Sequence, residues 1–350
     1  MVFDLNDIER NKLISLFNQH EKNLDYLLYL RAIIWQKPVK TPENSEEKNQ
    51  YKKRDFLFEH LEKEHPFPND FVKKNIKWDS QLLRIQDYLS NPYLKALSNL
   101  SFNKDDWSLN YKKLDAYSLF PHGEEYHYAS NYNIKMSLAY FNQDYFYPSI
   151  SLFGNEWMSL NPYEIRTMET PILCARGKVL TLGLGLGYFA YMAHLKEEVK
   201  EIHIVEMDKG LIEIFNEYLL PLFPYKEKIH IHKADAFHYI TSIKDRDYDY
   251  IFSDLWHDVS DGLPMYIKLK EHFNSFKSTH CFYWIEGAIV TYLRTLVIGV
   301  MKDEYYQNNN SYNDLQLFIK NRLKNHVIKD SSNIDSLLSI KGLNELLFAK

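Results

Sequence analysis

Between Lys178 and Ile285 the chain alternates two hydrophobic patterns. Short apolar runs at Val179–Leu182, Ile202–Val205, Ile229–His232, Tyr248–Ser253 and Cys281–Ile285 predict strands. The segments between them, Tyr188–Leu195, Gly210–Leu220, Ala236–Ile243 and Leu263–Phe276, carry apolar residues at helical spacing. Strands alternating with helices imply parallel strands joined by right-handed crossovers, a doubly wound, mostly parallel α/β sheet.

The flanking regions have other rhythms. Leu13, Leu16 and Phe17, then Leu24, Leu27, Leu28 and Ile34, recur at helical spacing, and residues 1–125 are expected to form a helical N-terminal domain. Amphipathic stretches follow at Asp55–Lys63 and Ser80–Leu89, and the polar stretch Lys37–Arg54 predicts a solvated loop. Residues 126–176 predict a β-hairpin lead-in: strands over Ile134–Phe141 and Tyr147–Phe153, a turn at Gly154-Asn155, and extended chain over Glu156–Leu160. Residues 177–350 make up the α/β domain, with a helical extension beyond Ala288. The apolar run Gly287–Met301 carries Arg294 at its middle and is shorter than the roughly 20 residues of a membrane span, so it predicts a buried helix.

Composition narrows the picture. The chain has 350 residues, 45% hydrophobic and 15% aromatic, enough to bury a large core. Forty-two basic residues against 47 acidic ones, net charge −5, give no general pull toward nucleic acid or an anionic membrane. Two cysteines, Cys174 and Cys281, exclude a disulfide framework. The N-terminus has no signal-peptide pattern, so a cytoplasmic location is expected.

Four segments carry candidate chemistry. A buried strand runs straight into Gly183-Leu-Gly185-Leu-Gly187 and then into a helix. Glycine lets backbone approach a ligand closely, and the helix N-terminus offers free N–H groups. Glu206 closes the second strand, 19 residues after Gly187, where an acid accepts hydrogen bonds from ribose hydroxyls. Asp235 ends the third strand and suits either an adenine amine or a helix N-cap. Asp254, His257 and Asp258 follow the fourth strand, at the carboxyl edge where open α/β sheets bind ligands.

This ordered set resembles class I S-adenosylmethionine-dependent methyltransferases, whose fold is Rossmann-like. More narrowly, it looks like the spermidine synthase-like branch, the polyamine aminopropyltransferases and their methyltransferase relatives. The narrower likeness rests on Gly154–Ile172, GNEWMSLNPYEIRTMETPI, just before the glycine loop. Glu164 and Glu169 fall on the two glutamates of the aminopropyltransferase pattern there. Tyr163 stands where that pattern has Asp, and Thr167-Met168 replace its Tyr-His. The loop acid of aminopropyltransferases is Leu186 here, and the methyltransferase acid before the first glycine is Thr181. Asp254 matches the first acid of the motif after strand four, but the next is Asp258 and no Pro follows.

The resemblance implies S-adenosyl-L-methionine as cofactor, held by Gly183, Gly185, Gly187, Glu206, Asp235 and Glu164. Asp254 would lie near the acceptor, with His257 and Asp258 as candidate bases. The reading is methyl transfer to a small-molecule acceptor. The main alternative is aminopropyl transfer from decarboxylated S-adenosylmethionine. A nicotinamide-dependent oxidoreductase, formally allowed by Gly185-x-Gly187-x-x-Ala190 with Glu206, and a non-catalytic nucleoside-binding module also stand. No metal site is expected, because His257 has no second His or Cys at ligand spacing. Cys174 reads as packing, and Trp256 and Tyr266 as core aromatics.

Overall fold

The computed structural model describes residues 1–36, 57–59, 61–124, 126–127 and 132–348, so the expected loop at Lys37–Arg54 lies outside the described residues. Helix α1 (Asp7–Ile33) starts where Asn6 caps it, its side chain accepting from the Glu9 N–H at 2.9 Å. Leu13, Phe17, Tyr26, Leu30 and Ile33 face inward, while Leu24 and Leu28 are exposed. The tyrosines turn the helix away from the leucine face the sequence suggests. The Tyr26 hydroxyl accepts from the Met136 N–H at 3.2 Å, so the ring is buried with its polar tip satisfied.

The helical expectation fails over residues 102–114. Strands β1 (Phe102–Lys104) and β2 (Trp107–Leu114) form there, with Trp107 and Leu109 inward in alternation. They join β3 (Tyr145–Leu152) and β4 (Asn155–Ser159) in a four-stranded antiparallel sheet of order β4-β3-β2-β1. The hairpin β3–β4 is the expected one. It turns at Phe153-Gly154, both in the left-handed region (φ 51° and 77°). The single strand expected over Ile134–Phe141 is two short pieces, Ile134–Lys135 and Leu138–Tyr140, which pair with different partners.

Two short helices, α2 (Pro162–Thr167) and α3 (Glu169–Cys174), lead into the main sheet. Its elements are β5 (Gly177–Leu182), α4 (Tyr188–His194), β6 (Val199–Glu206), α5 (Lys209–Ile214), β7 (Ile229–Lys233), α6 (Ala236–Ile240), β8 (Tyr250–Ser253), α7 (Val259–Phe273) and β9 (His280–Tyr283). All five strands are parallel, in the order β7-β6-β5-β8-β9. The order reverses between β5 and β8, which opens a crevice at their carboxyl ends. The expected doubly wound α/β sheet is therefore present.

Helix α8 (Glu286–Tyr306) contains the apolar run Gly287–Met301 and buries Ile289, Leu293, Val297 and Met301. Among the described residues no helix is long and apolar enough to cross a membrane. One large core joins the parallel sheet, the antiparallel sheet and the C-terminal helices, and a smaller one lies under the second half of α1.

Candidate active site

The glycine loop leaves β5 and enters α4 at the switch point. Gly183 (φ 98°) packs so tightly that a Cβ would sit 2.0 Å from the Asp254 carbonyl oxygen, so the loop and the end of β8 are in backbone contact. At Gly185 (φ 51°) a Cβ would meet the Met158 sulfur at 2.5 Å. Met158, from β4, also accepts the Leu186 N–H on that sulfur at 3.2 Å. Gly187 caps α4 in the left-handed conformation.

Glu206 lies beside this loop at the end of β6. Its carboxylate accepts the Leu184 N–H at 3.2 Å, the Met207 N–H at 2.7 Å and the Asp208 N–H at 2.8 Å. It therefore tethers the loop to the second strand, with lone pairs remaining for further donors. Asp235 caps α6, accepting the His238 N–H at 2.8 Å, and is exposed.

On the other side of the loop the acids behave differently. Asp254 is partly buried at the end of β8 and lines the crevice with Met158, Met168, Thr181, Gly183, Tyr188 and Phe252. Burial pushes its carboxyl up to about 7. Glu164, on α2, is held well above the usual carboxylate range by burial first, then by the charges of Asp254 and Glu156. Neither side chain has an ion pair or hydrogen bond, and no Lys, Arg or His lines the crevice among the described residues. The cavity left there is about 10 Å³, close to the size of one water, because Met158 fills the loop side.

The other candidates point elsewhere. Glu169 is exposed and pairs with Arg166. Asp258 caps α7 in a capping box with Asp261, accepting from the Ser260 N–H at 2.6 Å. His257 is exposed, its Nδ1 3.2 Å from the Asp261 carboxylate, with its ring edge-on to Trp157. Trp256 and Tyr266 are buried, as expected of core aromatics. Thr167 accepts the Trp284 indole N–H at 2.9 Å, and Thr181 donates to the Gly183 carbonyl at 3.2 Å, so both stand-ins for family residues serve the scaffold.

Sequence reasoning misses Met158 and Tyr93. The Tyr93 hydroxyl, fully buried, donates to the Leu186 carbonyl and pins the loop from the N-terminal region. Neither carried a motif signal, since their roles arise from tertiary packing.

Residues 173–279 match the family model described as the Spermine/spermidine synthase domain. Among curated proteins none matches the chain by sequence. Of solved structures, spermidine synthase from Thermotoga maritima is 16% identical, with a TM-score of 0.31 over 49% of this chain and 68% of that one. A spermidine synthase in complex with the transition-state analogue AdoDATO is 16% identical, with a TM-score of 0.33 over 49% and 69%. Human methyltransferase-like protein 13 in complex with SAH is 25% identical, with a TM-score of 0.21 over 27% and 43%. The resemblance read from the glycine loop and its acids is thus borne out where the family model matches, and over residues 173–279 the chain carries a spermidine synthase-like domain built on the doubly wound parallel sheet.

Proposed function

We propose that the chain transfers an aminopropyl group from decarboxylated S-adenosylmethionine to an amine. The observation that carries this reading is the acid pair. Asp254 lines the crevice beside the glycine loop, Glu164 lies close enough to feel its charge, both are partly buried, and among the described residues no ion pair offsets either. Two crowded carboxyls disfavour holding two negative charges, and a cationic amine relieves that cost. Decarboxylated S-adenosylmethionine has an ammonium tail and no carboxylate, and its acceptor is an amine, so both substrates suit such a pair. The spermidine synthase-like domain over 173–279 supports the same reading.

The chemistry follows from the substrates. The amine lone pair attacks the propyl carbon bound to sulfur. The C–S bond breaks, its electrons pass to sulfur, and neutral methylthioadenosine leaves. The new secondary ammonium gives up a proton, which Asp254 takes, its raised carboxyl being suited to that exchange near neutral pH. Catalysis is otherwise alignment of nitrogen, carbon and sulfur. Glu206 holds the ribose, Asp235 the adenine edge, and Gly183, Gly185 and Gly187 let the nucleoside approach the backbone. Met158 swings off the Leu186 N–H to admit the ligand. His257 and Asp258, occupied at the start of α7, have no assigned part in the transfer.

Methyl transfer from S-adenosylmethionine is the second reading. It is favoured by Leu186 in place of a loop acid and by Thr167-Met168 in place of the Tyr-His, which remove contacts to a polyamine. Incubation with decarboxylated S-adenosylmethionine and a series of diamines, followed by mass spectrometry, separates the two. Methylthioadenosine and an aminopropylated amine in equal amounts are expected. S-adenosylhomocysteine formed from S-adenosylmethionine, with no methylthioadenosine, overturns the proposal.

A further inference from the structure

A second cluster lies on one face of the sheet. Glu201 and His203 are two apart on β6, and His230 and His232 are two apart on β7, so each pair shares a face. The parallel register sets His203 directly opposite His230. The outcome is three donors converging on one point. His203 Nε2 lies 3.5 Å from Glu201 Oε2, His230 Nε2 lies 3.7 Å from the same oxygen, and all three atoms fall within 4.8 Å of one another.

The hydrogen bonds around the cluster are informative. His203 Nδ1 and His232 Nε2 are 2.8 Å apart, so one imidazole donates to the other. When His203 Nδ1–H donates, its Nε2 is a bare lone pair. That nitrogen is shut off from solvent, makes no hydrogen bond and faces the Glu201 carboxylate. In that tautomer two electron-rich atoms face one another with room for a cation between them, whereas in the other the His203 Nε2–H points at the Glu201 carboxylate. An imidazole whose far N–H is fixed by a hydrogen bond is the usual arrangement of a metal-bound histidine. Lys178 Nζ, the nearby cation, sits on the other carboxylate oxygen, Glu201 Oε1, at 3.2 Å and leaves Oε2 free.

We propose that Glu201, His203 and His230 bind a divalent transition-metal ion of the zinc class. Two imidazoles and one carboxylate suit such an ion. Metal–ligand bonds of about 2.0–2.2 Å need neighbouring donors roughly 3.4 Å apart, close to the two histidine–carboxylate separations of 3.5 and 3.7 Å, with the two imidazole nitrogens within 4.8 Å of one another. His230 and Glu201 are partly open to solvent, which leaves the fourth position to water. The ion would tie the edge strand β7 to β6. The expectation of no metal rested on spacing along the chain around His257; this cluster is made by register across two strands.

The test is a Zn²⁺ titration of the metal-free full chain by calorimetry, with Co²⁺ absorption spectra as a second readout. One equivalent of Zn²⁺ is expected, with a raised melting temperature and the visible bands of four-coordinate Co²⁺. His230→Ala and Glu201→Gln should weaken binding at least about tenfold, and His232→Leu, which leaves the ligands but removes their fixed orientation, by about 10- to 100-fold. His65→Ala, in the N-terminal region, should bind as the parent does. Absence of one-to-one binding, or binding unchanged in folded His230→Ala and Glu201→Gln, overturns the proposal.

Discussion

The two flanks of the glycine loop hold their acids in opposite ways. On the β6 side, Glu206 takes three backbone N–H groups and Asp235 caps a helix. Their charges are met by backbone N–H groups before any ligand arrives, and Glu206 also fixes the shape of the loop through the Leu184 N–H. On the β8 side, Glu164 and Asp254 have no side-chain donors among the described residues; burial raises both carboxyls, and the charge of Asp254 adds to the rise at Glu164. A site preorganised on one flank and electrostatically unsatisfied on the other suits a ligand with a neutral nucleoside at one end and a cationic amine at the other.

Breaking the unsatisfied flank should have the largest effect. Asp254→Asn is expected to lower the transfer rate about 100- to 10,000-fold, the range for a lost general base. The same change should not destabilise the ligand-free protein. With its carboxyl raised from 3.8 to about 7, native Asp254 holds more proton than the unfolded chain between those values. Stability therefore falls as pH rises from 3.8 to about 7 and levels off above. Melting curves of Asp254→Asn across that range should show a shallower fall than the parent.

The next largest effect is on pH dependence. The parent rate should climb as pH rises through about 7, as Asp254 loses its proton. Glu164 is also raised above the usual carboxylate range, by burial first and then by the charges of Asp254 and Glu156. Glu164→Gln should weaken amine binding yet leave the rise near pH 7 in place, whereas Asp254→Asn removes it. A pH–rate profile of each variant decides.

The satisfied flank should respond more mildly. Glu206→Ala is expected to weaken nucleoside binding by about 1.5–3 kcal/mol, the range for hydrogen bonds to a charged group. Because Glu206 also holds the Leu184 N–H, a fall in melting temperature should accompany it. Asp235→Ala comes last. Its main cost should be about 1 kcal/mol of stability through the lost cap, with a smaller change in affinity, measured by denaturant titration beside calorimetry.

Much of this contrast was legible in the sequence. The strand–loop–helix unit, Glu206 and the doubly wound sheet follow from apolar periodicity and glycine placement, which are local signals. So does Asp235 as a cap. The pairing of Glu164 with Asp254 was only half legible, since a resemblance marked both residues but not that each lacks an ion pair among the described residues. The swap of Leu24 and Leu28 for Tyr26 and Tyr29 on α1, and the strands over residues 102–114, escaped because polar tips and short alternations are resolved by distant partners. Trp107–Leu114 alternates over only its first few positions before Lys112 and Lys113 interrupt it. The histidine cluster on β6 and β7 needed the register between strands, which spacing along one chain does not contain.

The most direct test of the acid pair is calorimetry of the parent chain with decarboxylated S-adenosylmethionine against S-adenosylmethionine. Both share the nucleoside and the amine, and they differ only in the carboxylate that Glu164 and Asp254 would repel. The account predicts tighter binding of the decarboxylated ligand by about tenfold or more, about 1.4 kcal/mol. Equal affinities, or a preference for S-adenosylmethionine, would contradict it.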